Sequence, residues 1–330
     1  MAIFKSFSFA LQLLFIISSL QYVLCAPSAP RAVARTSPPS GCLVVRKDGT
    51  KTGEYSTVAA AVAAVKASGC IFIYSGTYTE QVTIKTNGVK IYGYTNDVSS
   101  YGGNTVTITN SLGSAAAGSL DKSSTVNVVA TDISVYNVNV QNSYGTAGQA
   151  VALTANGMRQ GYYGCKFLGY QDTLYAKAGW QYYSNCYMEG AVDFIFGNGA
   201  AWFGECTIAS AGGGYVTASS RTLSDDPAWY VFDHSTITAK SGVNVDGKVY
   251  LGRPWRVFAR VIYQYSTLTK VVNAAGWAPM ADNATPVFME FQNTGDGAGT
   301  SARKYLTKAT AAVTKAQLWP NSAKWWDSTY

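Results

Sequence analysis

An all-β fold, a right-handed parallel β-helix with a short N-terminal capping helix, is predicted by three observations on the sequence. First, short runs of β-branched and aromatic residues follow one another, punctuated by Gly, Asn, Asp and Ser. Second, the composition suits strands and polar turns around a large core. The 330 residues include 23 Tyr and 32 Gly, with 48 % hydrophobic and only 13 % charged side chains. Third, one unit recurs. Gly161-Tyr162-Tyr163-Gly164-Cys165-Lys166-Phe167, Gln181-Tyr182-Tyr183-Ser184-Asn185-Cys186-Tyr187 and Trp202-Phe203-Gly204-Glu205-Cys206-Thr207-Ile208 share one layout. Their cysteines are spaced by 21 and then 20 positions. A period near 20 with a strand in each unit points to a solenoid. Its coils would stack about 4.8 Å apart, with equivalent residues in ladders. On these features alone a sandwich or a propeller remains an alternative.

The elements follow in chain order. Residues 1–25 read as a signal peptide: Lys5 precedes an apolar stretch from about Phe7 to Leu24, and Val23 and Cys25 permit cleavage before Ala26. Ser6 precedes that stretch and Ser8, Gln12, Ser18, Ser19 and Gln21 interrupt it, against a membrane anchor. Residues 26–41, rich in Pro, Ala, Ser and Arg, read as a flexible leader or pro-segment outside the fold, and 42–330 as one β-helix domain. A helix is signalled by the cap Tyr55-Ser56-Thr57, by Val58, Val62 and Val65 at helical spacing, and by Gly69 as its end. Strands are then expected at 71–74, 81–84, 89–94, 105–109, 125–129, 133–141, 150–154, 161–167, 181–188, 201–208, 229–237, 249–251, 260–265 and 287–291.

Five cysteines lie beyond the leader peptide: Cys42, Cys70, Cys165, Cys186 and Cys206. Secretion permits disulfides, but an odd count forbids full pairing within the chain. No spacing matches a zinc site. One glycosylation sequon occurs at Asn283-Ala284-Thr285. The net charge of +7 favours polyanionic partners. No Lys/Arg run with interleaved aromatics speaks for nucleic acid, and no later stretch is apolar enough to span a membrane.

Three segments concentrate polar groups among aromatics: Gly169-Tyr170-Gln171-Asp172-Thr173-Leu174-Tyr175, Val192-Asp193-Phe194-Ile195-Phe196-Gly197 and Leu251-Gly252-Arg253-Pro254-Trp255. Asp193 sits in an apolar run, where a charge needs a partner, and Arg253 offers two parallel hydrogen bonds. A purely structural ion pair fits the composition equally well. Asp172 and Asp193 are 21 positions apart, the interval of Cys165 and Cys186. On a coiled chain they share one face of adjacent coils, where their protonation is coupled. His234, the only histidine, has no serine motif around it and reads as a surface or structural residue.

These segments resemble the signature regions of the pectin methylesterase family. Gly76-Thr77-Tyr78-Thr79-Glu80-Gln81-Val82 and Gln149-Ala150-Val151-Ala152-Leu153 extend the likeness, which covers about 44–326. The chain is most similar to the short secreted forms of fungi and plant-feeding animals. The resemblance implies hydrolysis of galacturonate methyl esters, with Asp193 as nucleophile and Asp172 as general acid and then base. It implies Gln149 and Gln171 as oxyanion donors and Arg253 as the residue that orients the nucleophile. Trp255 would stack on sugar, with Tyr175 and Phe196 lining subsites. It further implies methyl-esterified homogalacturonan as substrate, proteinaceous pectinesterase inhibitors as partners, an extracellular monomer, and no metal or cofactor. A polygalacturonase would need a set of acids with a nearby His, and a pectate lyase a calcium-binding acid cluster; the sequence has neither. A non-enzymatic relative would have lost Asp172, Asp193 or Arg253. An esterase for a different acyl group on the same scaffold stays open.

Overall fold

The computed structural model describes residues 33–330. The proposed signal peptide and the start of the leader lie outside the described residues.

The chain is a parallel β-helix. One sheet has 11 strands, all parallel, running from Leu43–Val45 through Gln160–Tyr163, Trp180–Ser184 and Ala200–Gly204 to Leu306–Lys308. A second assembly of 13 strands forms two further faces of the coil. Lys166–Leu168 pairs with the start of the long strand Tyr187–Gly197, and Leu174–Ala178 pairs with its end. That strand therefore bends from one face into the next. The bend is marked by register shifts between Gly190 and Val192 and between Val192 and Ile195.

The registers place like residues above one another. Inside the coil Tyr162, Tyr183, Phe203, Phe232 and Tyr263 form a stack with centroids 4.9, 4.8, 4.5 and 4.4 Å apart. These steps match the spacing of hydrogen-bonded strands, so each ring covers the one below. Cys165, Cys186 and Cys206 form the expected ladder, buried and free, with the Cys165 N–H donating to the Cys186 sulfur at 3.4 Å. Ser235 and Ser266 continue it: the Cys206 N–H donates to the Ser235 hydroxyl and the Ser235 N–H to that of Ser266. Cys42 and Cys70 are joined in a disulfide.

Several expectations need correction. The runs read as single strands at 133–141, 161–167, 181–188, 201–208 and 229–237 are each two strands. Asn137, Gly164, Asn185, Glu205 and His234 break them, all at φ between 49° and 57°. A single left-handed residue turns the chain from one face to the next, and the flanking apolar residues hide it in the sequence. Leu174–Ala178 is a strand that the sequence reading left out. The helix spans Val58–Ala64 and is capped by the Thr57 hydroxyl, but it ends well before Gly69. Val65 turns extended (ψ 136°) and buries its side chain, and Ser68 takes the left-handed turn. Val58, Ala61 and Val62 of the helix pack into the core. The leader is not wholly outside the fold. Arg35 bridges to Thr95, donates to Gly93 O and Asn137 Oδ1, and lies 4.9 Å from the Tyr92 ring centroid.

Candidate active site

Asp193 sits in the bend of Tyr187–Gly197 at φ 48°, and Asp172 lies one coil earlier at φ 65°. Left-handed backbone is strained for a non-glycine residue, although Asp tolerates it better than most. The Asp172 N–H donates to Val192 O at 3.1 Å, and Gln149, Gln171 and Val192 are bridged in parallel on three successive coils. The 21-residue interval thus does bring the two carboxylates to adjacent coils. Both are nearly buried, 3 % exposed for Asp172 and 7 % for Asp193.

Arg253 comes from the strand Val249–Pro254, two coils beyond Asp193. Its Nε and Nη2 donate to the two Asp193 carboxylate oxygens at 2.9 and 2.7 Å. Glycine precedes it because the strand runs close against Thr207–Ser219. A Cβ on Gly252 would collide with the Thr217 hydroxyl oxygen. The guanidinium also lies 3.9 Å from the centroid of Tyr215, an attractive cation–π contact.

Burial pushes the Asp172 carboxyl up to about 7, and the neighbouring Asp193 adds to the rise. A hydrogen bond from Gln149 and the charge of Arg253 pull it partly back. One carboxyl therefore holds its proton near neutrality beside a second that is ion-paired. This is the pairing needed for an acid and a nucleophile in one site.

The cleft over these groups is lined by Gln149, Asp172, Asp193, Phe196 and Trp255, together with Leu120, Ala218 and Met280. Tyr175 stacks on Phe196 at 4.3 Å, and Phe196 meets Trp255 at 5.9 Å. Arg253 reaches the cleft through Asp193, and Gln171 is half-buried just before Asp172. Sequence reasoning missed Leu120, Tyr215, Ala218 and Met280. Tyr215 pairs with Val192 across 23 positions rather than 21, because the bend shifts the register and breaks the period. Leu120 belongs to the one-turn helix Leu120–Ser123 and Met280 to a late loop, so neither carries a periodic signal. His234 is 60 % exposed at its coil corner, beside Asp233, and is not among the cleft residues. Among the described residues no cluster of three or more His, Cys, Asp or Glu is arranged for a metal ion.

The pectinesterase family model matches residues 42–321. The chain belongs to the pectinesterase family. It is 57 % identical to pectinesterase A of Emericella nidulans, over 93 % of this chain and 95 % of that one. It is 54 % identical to the probable pectinesterase A of Aspergillus niger, over 90 % and 91 %. The crystal structure of the Aspergillus niger pectin methylesterase superposes with a TM-score of 0.87 at 53 % identity, covering 90 % of this chain and all of that one. Carrot pectin methylesterase follows at 0.76 and 34 % identity, over 83 % and 90 %. This pectinesterase is thus a carboxylic ester hydrolase on a parallel β-helix, and pectin is its substrate.

Proposed function

We propose that this pectinesterase removes methyl groups from galacturonate esters through an acyl-enzyme on Asp193. The observation that carries the reading is the pairing of a raised, proton-holding Asp172 with an Asp193 fixed by two hydrogen bonds from Arg253. An Asp193 oxygen attacks the ester carbonyl carbon, and the carbonyl electrons move onto oxygen. Side-chain amides of Gln149 and Gln171 donate to that oxyanion without changing charge. When the tetrahedral intermediate collapses, the bond to the methoxy oxygen breaks. Asp172 gives its proton to the departing methanol. Asp172, now a carboxylate, takes a proton from water as the water attacks the anhydride. The galacturonate acid leaves, Asp193 is regenerated, and Asp172 is protonated again.

Trp255 supports a sugar face, with Tyr175 and Phe196 as the stacked wall beside it. Secretion through the 1–25 segment, action as a monomer and capture by proteinaceous pectinesterase inhibitors belong to the same proposal.

The test follows methanol release and chain length together on highly methylated pectin. Methanol release without new reducing ends or unsaturated products is expected, with chelators leaving the rate unchanged. Asp193→Asn should lower turnover by about three orders of magnitude or more. A variant that still turns over at the wild-type rate would overturn the acyl-enzyme route.

A further inference from the structure

The reaction turns a neutral ester into an anion, so each turnover leaves the polymer more negative. The cations near the cleft are mostly committed. Arg253 is bound to Asp193, and Lys177, on the Tyr175 strand, is bound to Asp121 at 2.7 Å. Arg256 differs. It directly follows the cleft residue Trp255 and is exposed, with its guanidinium 4.9 Å from the Trp255 ring centroid. Its Nη1 donates to the Trp255 carbonyl oxygen at 3.1 Å, which folds the side chain back over that ring. Among the described residues, Arg256 is in no ion pair with a carboxylate.

We infer that Arg256 binds the free carboxylate of an already de-esterified galacturonate unit next to the unit seated on Trp255. The planar guanidinium fork offers a carboxylate two parallel hydrogen bonds, whereas a methyl ester has lost the charge that strengthens them. Trp255 takes the apolar face of one sugar while Arg256 takes the acid of that sugar's neighbour. The consequence is specificity: a methylated unit adjoining a free acid is held better than one inside a fully methylated stretch. De-esterification then proceeds by extension of existing acid runs. This inference rests on reading the cleft as the ester-hydrolysing site.

The experiment compares the wild type with Arg256→Gln, Arg256→Lys and, as a remote charge control, Lys308→Gln on the strand Leu306–Lys308. Binding of a fully de-esterified oligogalacturonate is measured by titration at low and at physiological salt. That ligand is not turned over, so the result does not depend on how catalysis works. Arg256→Gln should weaken binding about three- to five-fold at low salt, the range of an exposed ion pair, and less when salt screens it. Arg256→Lys should restore part of the loss, and Lys308→Gln should have a smaller effect than Arg256→Gln. In parallel, the ratio of KM for fully methylated to partly de-esterified pectin should fall toward one in Arg256→Gln. Equal binding by Arg256→Gln and wild type would overturn the inference. So would an equal loss in Lys308→Gln, which would assign the effect to net charge. A KM that rises equally on both pectins would also overturn it, because Arg256 would then only brace Trp255. The reading of the cleft fails separately, through an active Asp193→Asn enzyme.

Discussion

At the scale of single residues, the proposed chemistry rests on two aspartates made unlike by their surroundings. Asp172 is buried next to another carboxylate, and its carboxyl is pushed up to about 7. In the proposed mechanism protonated Asp172 supplies the proton for methanol, so kcat/KM should fall as pH rises through about 7, which a pH–rate profile on soluble pectin checks. The same shift sets a stability dependence whose sign is fixed. The unfolded chain releases this proton near the ordinary value of 3.8, while the folded chain holds it to about 7. The contribution of Asp172 to stability is therefore fully present below about pH 4 and is lost as pH rises through about 7. Asp172→Asn keeps the shape and carries no charge. It should unfold at a higher temperature than the wild type above pH 7, with the gap closing toward pH 4, while its turnover collapses. A melting series from pH 4 to 8 tests this, and a gap independent of pH would reject the assignment of the shift.

At the scale of elements, the sequence showed the period and concealed the corners. Cys165, Cys186 and Cys206 mark equivalent positions, and the same interval correctly related Asp172 to Asp193. The partner of Asp193 was legible because a charge in an apolar run demands one, and Arg253 lies in a segment of the same polar character. The corner residues were not legible. Glu205, His234 and Tyr265 occupy left-handed turns at φ 55°, 49° and 50°, a job that local chemistry reserves for Gly or Asn. Glu205 and His234 therefore fell inside runs read as continuous strand. Tyr215 escaped because the register shift at the bend destroys the period where the site is built. The corners make an energetic prediction. Glu205 is exposed and in no ion pair among the described residues, so replacing it with Asn relieves left-handed strain at little other cost. Glu205→Asn should gain about 0.5–1 kcal/mol, and Asn185→Ala should lose a similar amount. Chemical denaturation measures both, and a destabilised Glu205→Asn would mean that the glutamate side chain makes a contact outweighing the strain.

At the scale of the whole molecule, a stack of coils must cover the apolar groups it presents outward as well as those it encloses. The outer face of the 11-stranded sheet carries Tyr92, Tyr136 and Tyr163, stacked at 5.0 and 4.8 Å, beside Tyr182 and Trp202. Left bare, this face would be a large apolar patch of the kind that drives association. The C-terminal segment covers it. The short helix Lys315–Leu318, with its Thr314–Gln317 capping box, sets Trp319 against Tyr182, and the Trp319 indole donates to Ala200 O at 3.0 Å. Further on, Asp327 accepts from Tyr136 and its N–H donates to Tyr163, and Tyr330 donates to Asn137. Trp319 is 1 % exposed and is the central anchor of this cover. Trp319→Ala should cost about 3–5 kcal/mol, the range for emptying a buried indole site. The carboxylates and Arg253 are mounted on the other strand assembly, joined by their own ladder. The variant should therefore melt on the order of 10 °C lower, following the usual relation between stability and Tm for a domain of this size, while kcat well below the transition stays near the wild-type value. Binding of an apolar dye to the native-state variant should rise, because the tyrosine face opens before the coil unwinds. Loss of kcat in step with the fall in Tm, with no gain in dye binding, would show instead that the cover and the cleft unfold as one unit.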